Sequence, residues 1–303
     1  MKPNALIEIK KYAAIDIGSN AVRLLISNII LKDEKKEPTF KKSALIRVPI
    51  RLGADVFLGG NISDANKNRM IAAMKAFRLL MQVHGVEKYK ACATSAMRDA
   101  SNGKELIAEI ENETGINIEI INGKKEAEII ASTDLSKLID GKKSYLYVDV
   151  GGGSTEFTVF SKGKLLCSKS FKIGTVRLLN NNTDNKIIWK EIKTWISVHT
   201  KGLKKMALIG SGGNINKIFK MSNQRPEKPL SYIYMNAHYQ FLKKMTYEER
   251  ISELGLNQDR ADVIIPATKI YLSAMKWSKS KKIYVPKIGL SDGIVKSLYH
   301  GII

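Results

Sequence analysis

The sequence has 303 residues, 44% of them hydrophobic, which predicts a globular protein with one large domain or two of ordinary size. Its formal net charge of +21 indicates an anionic partner, namely nucleic acid, an acidic membrane surface or a polyanionic small substrate. No apolar run reaches the roughly 18 residues of a transmembrane helix, so the sequence predicts no membrane-spanning segment. We also expect no membrane among the partners.

The ends and the cysteines bear on location. The first eleven residues lack the apolar core of a signal peptide, and Cys92 and Cys167 fall in strand-like runs as small hydrophobes. Both features favour a reducing, cytoplasmic location. The lysines form short pairs without interleaved aromatic residues, which argues against nucleic acid as the partner. The alternative is that these charges only cover solvated faces.

The first motif lies in residues 12–30, which are predicted to form a hairpin. An apolar strand ends in Asp16, the chain turns through Gly18, Ser19 and Asn20, and a second strand follows. Backbone N–H groups exposed at such a turn suit an anion, typically a phosphate. The alternative is an ordinary hairpin with a flexible tip.

The next elements complete a first α/β half. Residues 36–50 continue as strand, residues 51–53 are expected to form a loop, and an amphipathic helix follows Ser63. A strand over residues 89–93 leads through residues 94–98 into a helix over residues 102–114. Arg98 lies just beyond a strand end, where ligands gather in open α/β sheets, and it is either a phosphate clamp or a surface arginine.

A helix over residues 124–138 follows the strand 116–121 and the turn Asn122-Gly123. Glu126 lies in its first turn, where a carboxylate favours the helix macrodipole. From its position alone, this supporting role is preferred to catalysis.

The second half repeats the first motif. The strand around Tyr147 ends in Asp149, turns through three glycines, and resumes as a strand after Thr155. Because a carboxylate repels bound phosphate, Asp149 predicts a Mg²⁺ ion between the two. The residues of this second motif are Asp149, Gly151, Gly152, Gly153, Ser154, Thr155 and Glu156.

A third glycine turn follows the strand at residues 206–211. Gly212, Gly213 and Asn214 open a helix there, and a helix N-terminus after glycines offers free N–H groups to an anion. A tight connection between strand and helix is the alternative. Residues 259–277 then predict one long helix, with Pro266 as the site of a kink.

The two strand–aspartate–glycine turns predict an internal repeat on the scale of a domain. We expect an N-terminal domain over residues 1–131 and a C-terminal domain over residues 132–303.

Together these motifs resemble the exopolyphosphatase and guanosine pentaphosphatase (Ppx/GppA) family of the sugar kinase/heat-shock-cognate/actin superfamily. The matching segments occur in the family's order over nearly the whole chain and are residues 14–23, 93–98, 120–128, 148–156, 210–215, 260–264 and 290–293. The resemblance implies an α/β fold of two ribonuclease-H-like (actin-like ATPase) domains with a phosphate-binding cleft between them. It also implies hydrolysis of the terminal phosphate of polyphosphate or pppGpp, dependent on Mg²⁺ or another divalent cation, by a homodimer.

The resemblance assigns roles to individual residues. The family's catalytic glutamate corresponds to Glu126, as general base on the attacking water. Asp149 would position the metal, with Asp16 and Glu156 as further ligands. The remaining matches would hold phosphates, and they are Gly18, Ser19, Asn20, Arg23, Arg98, Gly151, Gly152, Gly153, Ser154, Thr155, Gly212, Gly213 and Asn214.

The sequence departs from the family pattern at two places. Lys125 replaces the first of a frequent glutamate pair, and Gly212-Gly213-Asn214 replaces a more usual Ser-Gly-Thr. The chain also ends before the extra C-terminal domains of longer members, which favours a short-chain or pppGpp substrate. The competing hypotheses are a non-catalytic module that binds pppGpp or ppGpp and a kinase of the same superfamily.

Overall fold

The computed structural model describes residues 7–32, 37–133, 142–180 and 186–303. The chain forms two compact units, one of residues 1–122 with 290–303 and one of residues 123–289. We call them unit 1 and unit 2. Every helix among the described residues is too short or too polar to cross a membrane.

Unit 1 is built on one mixed sheet in the order β3-β2-β1-β4-β5, in which β1, β2 and β3 are antiparallel and β4 and β5 run parallel to β1. Its strands are β1 Glu8–Ile17, β2 Val22–Leu31, β3 Thr39–Val48, β4 Lys88–Ala93 and β5 Ile118–Ile120. Its helices are α1 Leu52–Gly59, α2 Asp64–Val83, α3 Ser95–Asp99, α4 Gly103–Thr114 and, from the end of the chain, the helix Leu290–Tyr299.

Unit 2 repeats this order. Its sheet is β10-β11-β9-β6-β7-β8, in which β6, β7 and β8 are antiparallel and β9 and β11 run parallel to β6. Its helices are α5 Gly123–Ala131, α6 Thr175–Asn180, α7 Lys186–His199, α8 Gly213–Met221, α9 Tyr232–Lys244, α10 Tyr247–Ser252, α11 Gln258–Ala261 and α12 Ile264–Trp277, so the last helix of the chain is α13. Its strands are β6 Ser144–Val150, β7 Thr155–Ser161, β8 Lys164–Phe171, β9 Met206–Ser211, β10 Leu230–Ser231 and β11 Lys282–Tyr284.

Each sheet has an apolar face that packs under its own helices. In unit 1 the buried stripe of α2, with Met70, Met74 and Phe77, covers Ile15 and Leu24. In unit 2, alternate residues of β6 and β7 face a core that includes α7, α8 and α12. Successive side chains of a strand point to opposite faces of the sheet, so every second residue of β6 and β7 faces this core.

Two predicted elements are wrong. Residues 51–53 are not a loop, because Leu52 begins α1 and its buried Leu52 and Val56 face the core one turn apart. The long helix over residues 259–277 is two helices, α11 and α12, and Pro266 is the third residue of α12. Proline fits the first turn of a helix, where its missing N–H has no partner to lose, so it causes no kink inside the helix.

The predicted domain boundary at residue 131 coincides with the end of α5, whereas the compact units divide before that helix. The C-terminal helix α13 belongs to unit 1, where it packs on β1, β2 and β4. The predicted helix over residues 124–138 ends at Ala131, and residues 134–138 lie outside the described part of the chain.

Candidate active site

The first predicted turn joins β1 to β2. The N–H of Gly18 donates to the carbonyl of Ala21 (3.2 Å), so Ser19 and Asn20 form a two-residue tip. Ser19 is 2% exposed, and its Oγ atom has no hydrogen-bond partner among the described residues. A buried hydroxyl normally has a partner, so this one suits a ligand.

Asp16 lies opposite Arg23 across the same hairpin. Arg23 Nη1 donates to Asp16 Oδ2 at 2.7 Å, and Asp16 is 5% exposed. The short, charge-assisted contact orients the guanidinium beside the turn.

The second predicted turn joins β6 to β7 and has the same geometry. The N–H of Gly151 donates to the carbonyl of Ser154 (3.0 Å), which leaves Gly152 and Gly153 at the tip. None of these tip residues has a positive φ angle. The two turns therefore share the same closing hydrogen bond, and the strand–turn–strand unit repeats as the sequence predicts.

The carbonyl groups of the second turn are already occupied. The N–H groups of Val176 and Arg177 donate to the carbonyl of Gly152 (2.8 and 3.1 Å), and Arg177 Nε donates to the carbonyl of Gly153 (2.9 Å). Because N–H and C=O point in opposite directions across a trans peptide, this support turns the amides of the tip away from α6. An anion can bind on that side.

The first turn is supported in the same way. The N–H of Arg51 donates to the carbonyl of Asn20 (3.1 Å), and the N–H of Gly53 donates to the carbonyl of Ser19 (2.8 Å). In both units, the segment after the third strand of the meander thus holds the turn carbonyls.

Gly174 permits this close approach in unit 2. A Cβ atom at residue 174 would lie 2.4 Å from the carbonyl carbon and oxygen of Gly152 and 2.5 Å from the nitrogen of Gly153. No side chain fits there, so the position of the turn depends on glycine at residue 174.

Two carboxylates lie beside the second turn. Asp149 on β6 and Glu156 on β7 are direct cross-strand partners. Glu156 is 2% exposed, and the hydroxyl groups of Ser154 and Ser170 both donate to its Oε1 atom, at 2.7 and 2.8 Å. These two donors fix the orientation of the carboxylate.

Glu126 lies in the first turn of α5 and is 8% exposed. This helix packs on β7 and β8 of the same unit. At its start, a Cβ atom on Gly123 would lie 2.4 Å from the Cβ of Ser170. The start of α5, the helix of Glu126, therefore packs against Ser170, the serine whose hydroxyl donates to Glu156.

The third predicted turn follows β9, where Ser211 pairs in register with Asp149. Gly212 has φ 117° and ψ 160°, a conformation that is nearly restricted to glycine. A Cβ atom there would lie 3.0 Å from the carbonyl oxygen of Val150 and 3.5 Å from Asp149 Oδ1. Gly212 thus brings the start of α8 close to Asp149.

The start of α8 offers polar groups. Asn214 Oδ1 is buried and has no hydrogen-bond partner among the described residues. Arg260 lies over Gly213, with Nη2 3.4 Å from the position of a Cβ atom. A helix N-terminus with an adjacent guanidinium suits an anion.

Two buried tyrosines, Tyr147 and Tyr271, lie near Asp149. Burial, and next the negative charge of Asp149, raise the pKa of Tyr147 and of Tyr271 well above its usual range. Both phenols therefore stay neutral, and the hydroxyl of Tyr271 donates to the carbonyl of Ser211.

Arg98 lies in α3, at the edge where the carboxyl ends of β1, β4 and β5 meet in register. Its Nη1 atom donates to the carbonyl of Ile121 (2.7 Å). The guanidinium is thus fixed at the end of β5, at the same edge of the sheet as the first turn.

The metal prediction can be tested against these donors. Among the described residues, no group of three or more His, Cys, Asp or Glu side chains is arranged to hold a metal ion. Mg²⁺ commonly uses only one or two carboxylates and completes its coordination with water and phosphate oxygens. Asp149 and Glu156 fit that requirement, whereas the carboxylate of Asp16 is paired with Arg23.

The sequence alone suggested no role for four residues of this arrangement. Gly174 and Arg177 support the second turn, Ser170 links Glu156 to α5, and Arg260 covers Gly213. The repeat points only to the segment after each third strand and not to Gly174 itself, because Val176 and not Gly174 donates to the turn as Gly53 does in unit 1.

Comparison with known proteins agrees with this geometry. Residues 33–301 match the model of the Ppx/GppA phosphatase family. The chain belongs to the Ppx/GppA phosphatase family. The predicted α/β fold of two actin-like domains is thereby confirmed.

Three relatives show the extent of the similarity. The chain is 31% identical over 314 aligned positions to a bifunctional 3-dehydroquinate synthase/phosphatase of Fusobacterium nucleatum, covering 96% of this chain but 46% of that protein. It is 22% identical to a putative exopolyphosphatase of Haemophilus influenzae, covering 98% and 94% of the two chains. The solved structure of an exopolyphosphatase from Cytophaga hutchinsonii superposes with a TM-score of 0.84 at 25% identity, covering 96% and 98%.

Proposed function

We propose that this protein is a phosphoanhydride hydrolase that releases the terminal phosphate of inorganic polyphosphate. The observation that carries the proposal is that α5, the helix of Glu126, packs at Gly123 against Ser170, whose hydroxyl donates to Glu156. The buried carboxylate of Glu126 is thereby carried by a helix that packs on the same two strands, β7 and β8, that follow the glycine turn. Glu156 lies on β7, opposite Asp149. Family membership and the exopolyphosphatase relatives support the choice of substrate.

Glu126 is the proposed general base. It accepts a proton from water as the water oxygen forms a bond to the terminal phosphorus, and the bridging P–O bond breaks to leave a chain one phosphate shorter. The N-terminal turn of α5 favours negative charge on this side chain.

The glycine turns of each unit are proposed to bind phosphate. The amides around Gly152 would hold phosphate oxygens in unit 2, with Gly212, Gly213 and Asn214 as a further contact. The equivalent turn at Gly18–Asn20 would do so in unit 1, aided by Arg23 and Arg98. The carbonyl groups of the turns already accept hydrogen bonds from the segment that follows each third strand. The amides are therefore fixed in position and need no rearrangement when charge develops on the transferred group.

Asp149 and Glu156 would hold Mg²⁺, whereas the carboxylate of Asp16 is paired with Arg23 in unit 1. The bound cation would neutralise charge on the phosphate oxygens. Guanosine pentaphosphate ends in the same type of phosphoanhydride bond, so we propose it as an alternative substrate. We also propose that the protein is cytoplasmic and forms a homodimer.

The test is phosphate release from polyphosphate and from pppGpp by the wild type, with and without Mg²⁺. We expect Mg²⁺-dependent release, and the larger kcat/KM identifies the preferred substrate. Tight binding of pppGpp or ppGpp without release from either substrate would contradict the proposal in favour of a non-catalytic signalling module. Transfer of phosphate to a sugar instead of water would contradict it in favour of a kinase.

A further inference from the structure

The positive charge of the chain is concentrated in unit 2. Residues 123–289 contain 30 Lys and Arg against 14 Asp and Glu, whereas the rest of the chain contains 20 against 15. Turns proposed to bind phosphate are present in both units, so phosphate binding at these turns does not explain why the positive charge is concentrated in unit 2.

Within unit 2, lysines gather where the parallel strands begin. The strands β6, β9 and β11 are neighbours that run in the same direction, and Ser144 pairs with Met206 at their start. The turn between β7 and β8 lies at this same edge, because Ser161 pairs with Ser144. We call this group the lysine edge: Lys162, Lys164, Lys201, Lys204, Lys205, Lys279, Lys281 and Lys282.

The lysine edge is not neutralised. All eight side chains belong to exposed residues, and none forms an ion pair with a carboxylate of the described residues. The segments 161–164, 201–205 and 279–282 contain neither Asp nor Glu. Their charge is therefore available to a ligand.

Three of these lysines occupy unfavourable backbone positions. Lys162, Lys205 and Lys279 have φ angles of 51°, 53° and 55°. Glycine and asparagine adopt this left-handed conformation at lower cost than lysine does. At these three turns of the lysine edge, the backbone conformation favours glycine or asparagine, yet the sequence has lysine.

The lysine edge is separate from the proposed active site. It lies at the start of β6, and Asp149 lies near the end of the same strand. At about 3.3 Å per residue, the separation along β6 is about 17 Å. A small phosphate ligand at Asp149 cannot reach these lysines, whereas a long polyanion can.

We propose that the lysine edge is a second binding site for inorganic polyphosphate, which retains long chains on the protein. The identity of this ligand rests on the proposed function. The lysine-bearing segments contain no aromatic residue, so they offer point charges to a phosphate chain but no stacking surface for bases. This chemistry favours polyphosphate over single-stranded nucleic acid.

The test compares two triple variants of the full chain that lose equal charge. Lys162→Asn, Lys205→Asn and Lys279→Asn remove charge from the lysine edge, and asparagine suits the left-handed backbone, so this variant should stay folded. Lys32→Gln, Lys41→Gln and Lys104→Gln remove the same charge from exposed residues of unit 1. Equilibrium binding of long-chain polyphosphate and of tripolyphosphate is measured over a range of salt concentrations.

We expect the edge variant to bind long-chain polyphosphate about tenfold or more weakly than the wild type at low salt. The slope of log Kd against log salt should fall by about 0.7 for each lysine that contacted the chain. Binding and turnover of tripolyphosphate should stay unchanged.

Equal losses in both triple variants would overturn the proposal, as would unchanged binding in the edge variant. Single-stranded RNA that binds the edge more tightly than polyphosphate would also overturn it. Because the readout is binding, it is independent of catalysis. A wild type that hydrolyses nothing, with weakened polyphosphate binding only in the edge variant, would refute the proposed hydrolysis and leave the second site standing.

Discussion

The substitution Gly174→Ala should displace the glycine turn of unit 2 without removing any proposed ligand. The new Cβ atom would lie 2.4 Å from the carbonyl carbon of Gly152. Carbon atoms normally approach to about 3.5–4.0 Å, so the backbone must move by about 1 Å. The clash is with backbone on both sides, and no rotamer change can relieve it.

The cost can be estimated from this overlap. Forcing an extra methyl group into a packed site costs about 1–3 kcal/mol of unfolding free energy. A shift of about 1 Å in a catalytic arrangement costs on the order of 100-fold in rate, or about 2.7 kcal/mol of activation free energy. We therefore expect a folded, moderately destabilised protein that has lost most of its phosphate release.

The assay pairs urea unfolding with phosphate release from polyphosphate. Gly289→Ala is the matched control, because a Cβ atom at residue 289 meets no atom within 4 Å and its φ angle is not positive. The control should keep wild-type stability and activity. Wild-type phosphate release by Gly174→Ala would refute the claim that the position of this turn determines activity.

Three further predictions concern single contacts. Ser170→Ala removes one of the two hydroxyl groups that hold Glu156, so the Mg²⁺ concentration for half-maximal phosphate release should rise about tenfold. Arg23→Gln leaves the buried carboxylate of Asp16 without its guanidinium, which should lower the free energy of unfolding by about 1–3 kcal/mol, because the arginine is partly solvated. Burial lowers the pKa of His238 below 6.5, so the unfolded chain takes up the proton first and stability should fall as the pH drops below 6.5. His238→Gln should lose part of that pH dependence in urea unfolding.

Each of these has an outcome that contradicts it. A Mg²⁺ requirement changed equally by Ser168→Ala, whose hydroxyl bonds Thr158 instead, would show that the effect of Ser170 is not specific. Unchanged stability in Arg23→Gln would mean that Asp16 is satisfied without it. A pH dependence of unfolding that is identical in His238→Gln and the wild type would exclude a role for this imidazole.

The repeated turns could be predicted because their pattern is local. An apolar strand, an aspartate, glycines or small polar residues and a second strand determine a hairpin within about fifteen residues of sequence, and both hairpins are present. The helix α1 was missed because its signal is tertiary. It contains glycines at both ends of a short segment, and the burial of Leu52 and Val56 stabilises it.

The supports of the site could not be predicted from local sequence. The contacts of Gly174 with Gly152 and of Ser170 with Gly123 join segments that are far apart in the chain. Glu126 illustrates the same limit, because its position in a first helical turn favoured only a supporting role. Family resemblance, and not local chemistry, pointed to Glu126 as a base, and that role stays a prediction.

The central claim is that Glu126 activates water, and one measurement tests it directly. Mg²⁺-dependent phosphate release from polyphosphate is compared for Glu126→Gln and Glu128→Gln, which change buried and exposed glutamates of the same helix. Removal of a general base costs about 100- to 10,000-fold in rate. For Glu126→Gln we predict a fall in kcat of about 100- to 10,000-fold, while polyphosphate still binds. For Glu128→Gln we predict the wild-type kcat. Phosphate release by Glu126→Gln at the wild-type rate would contradict the account.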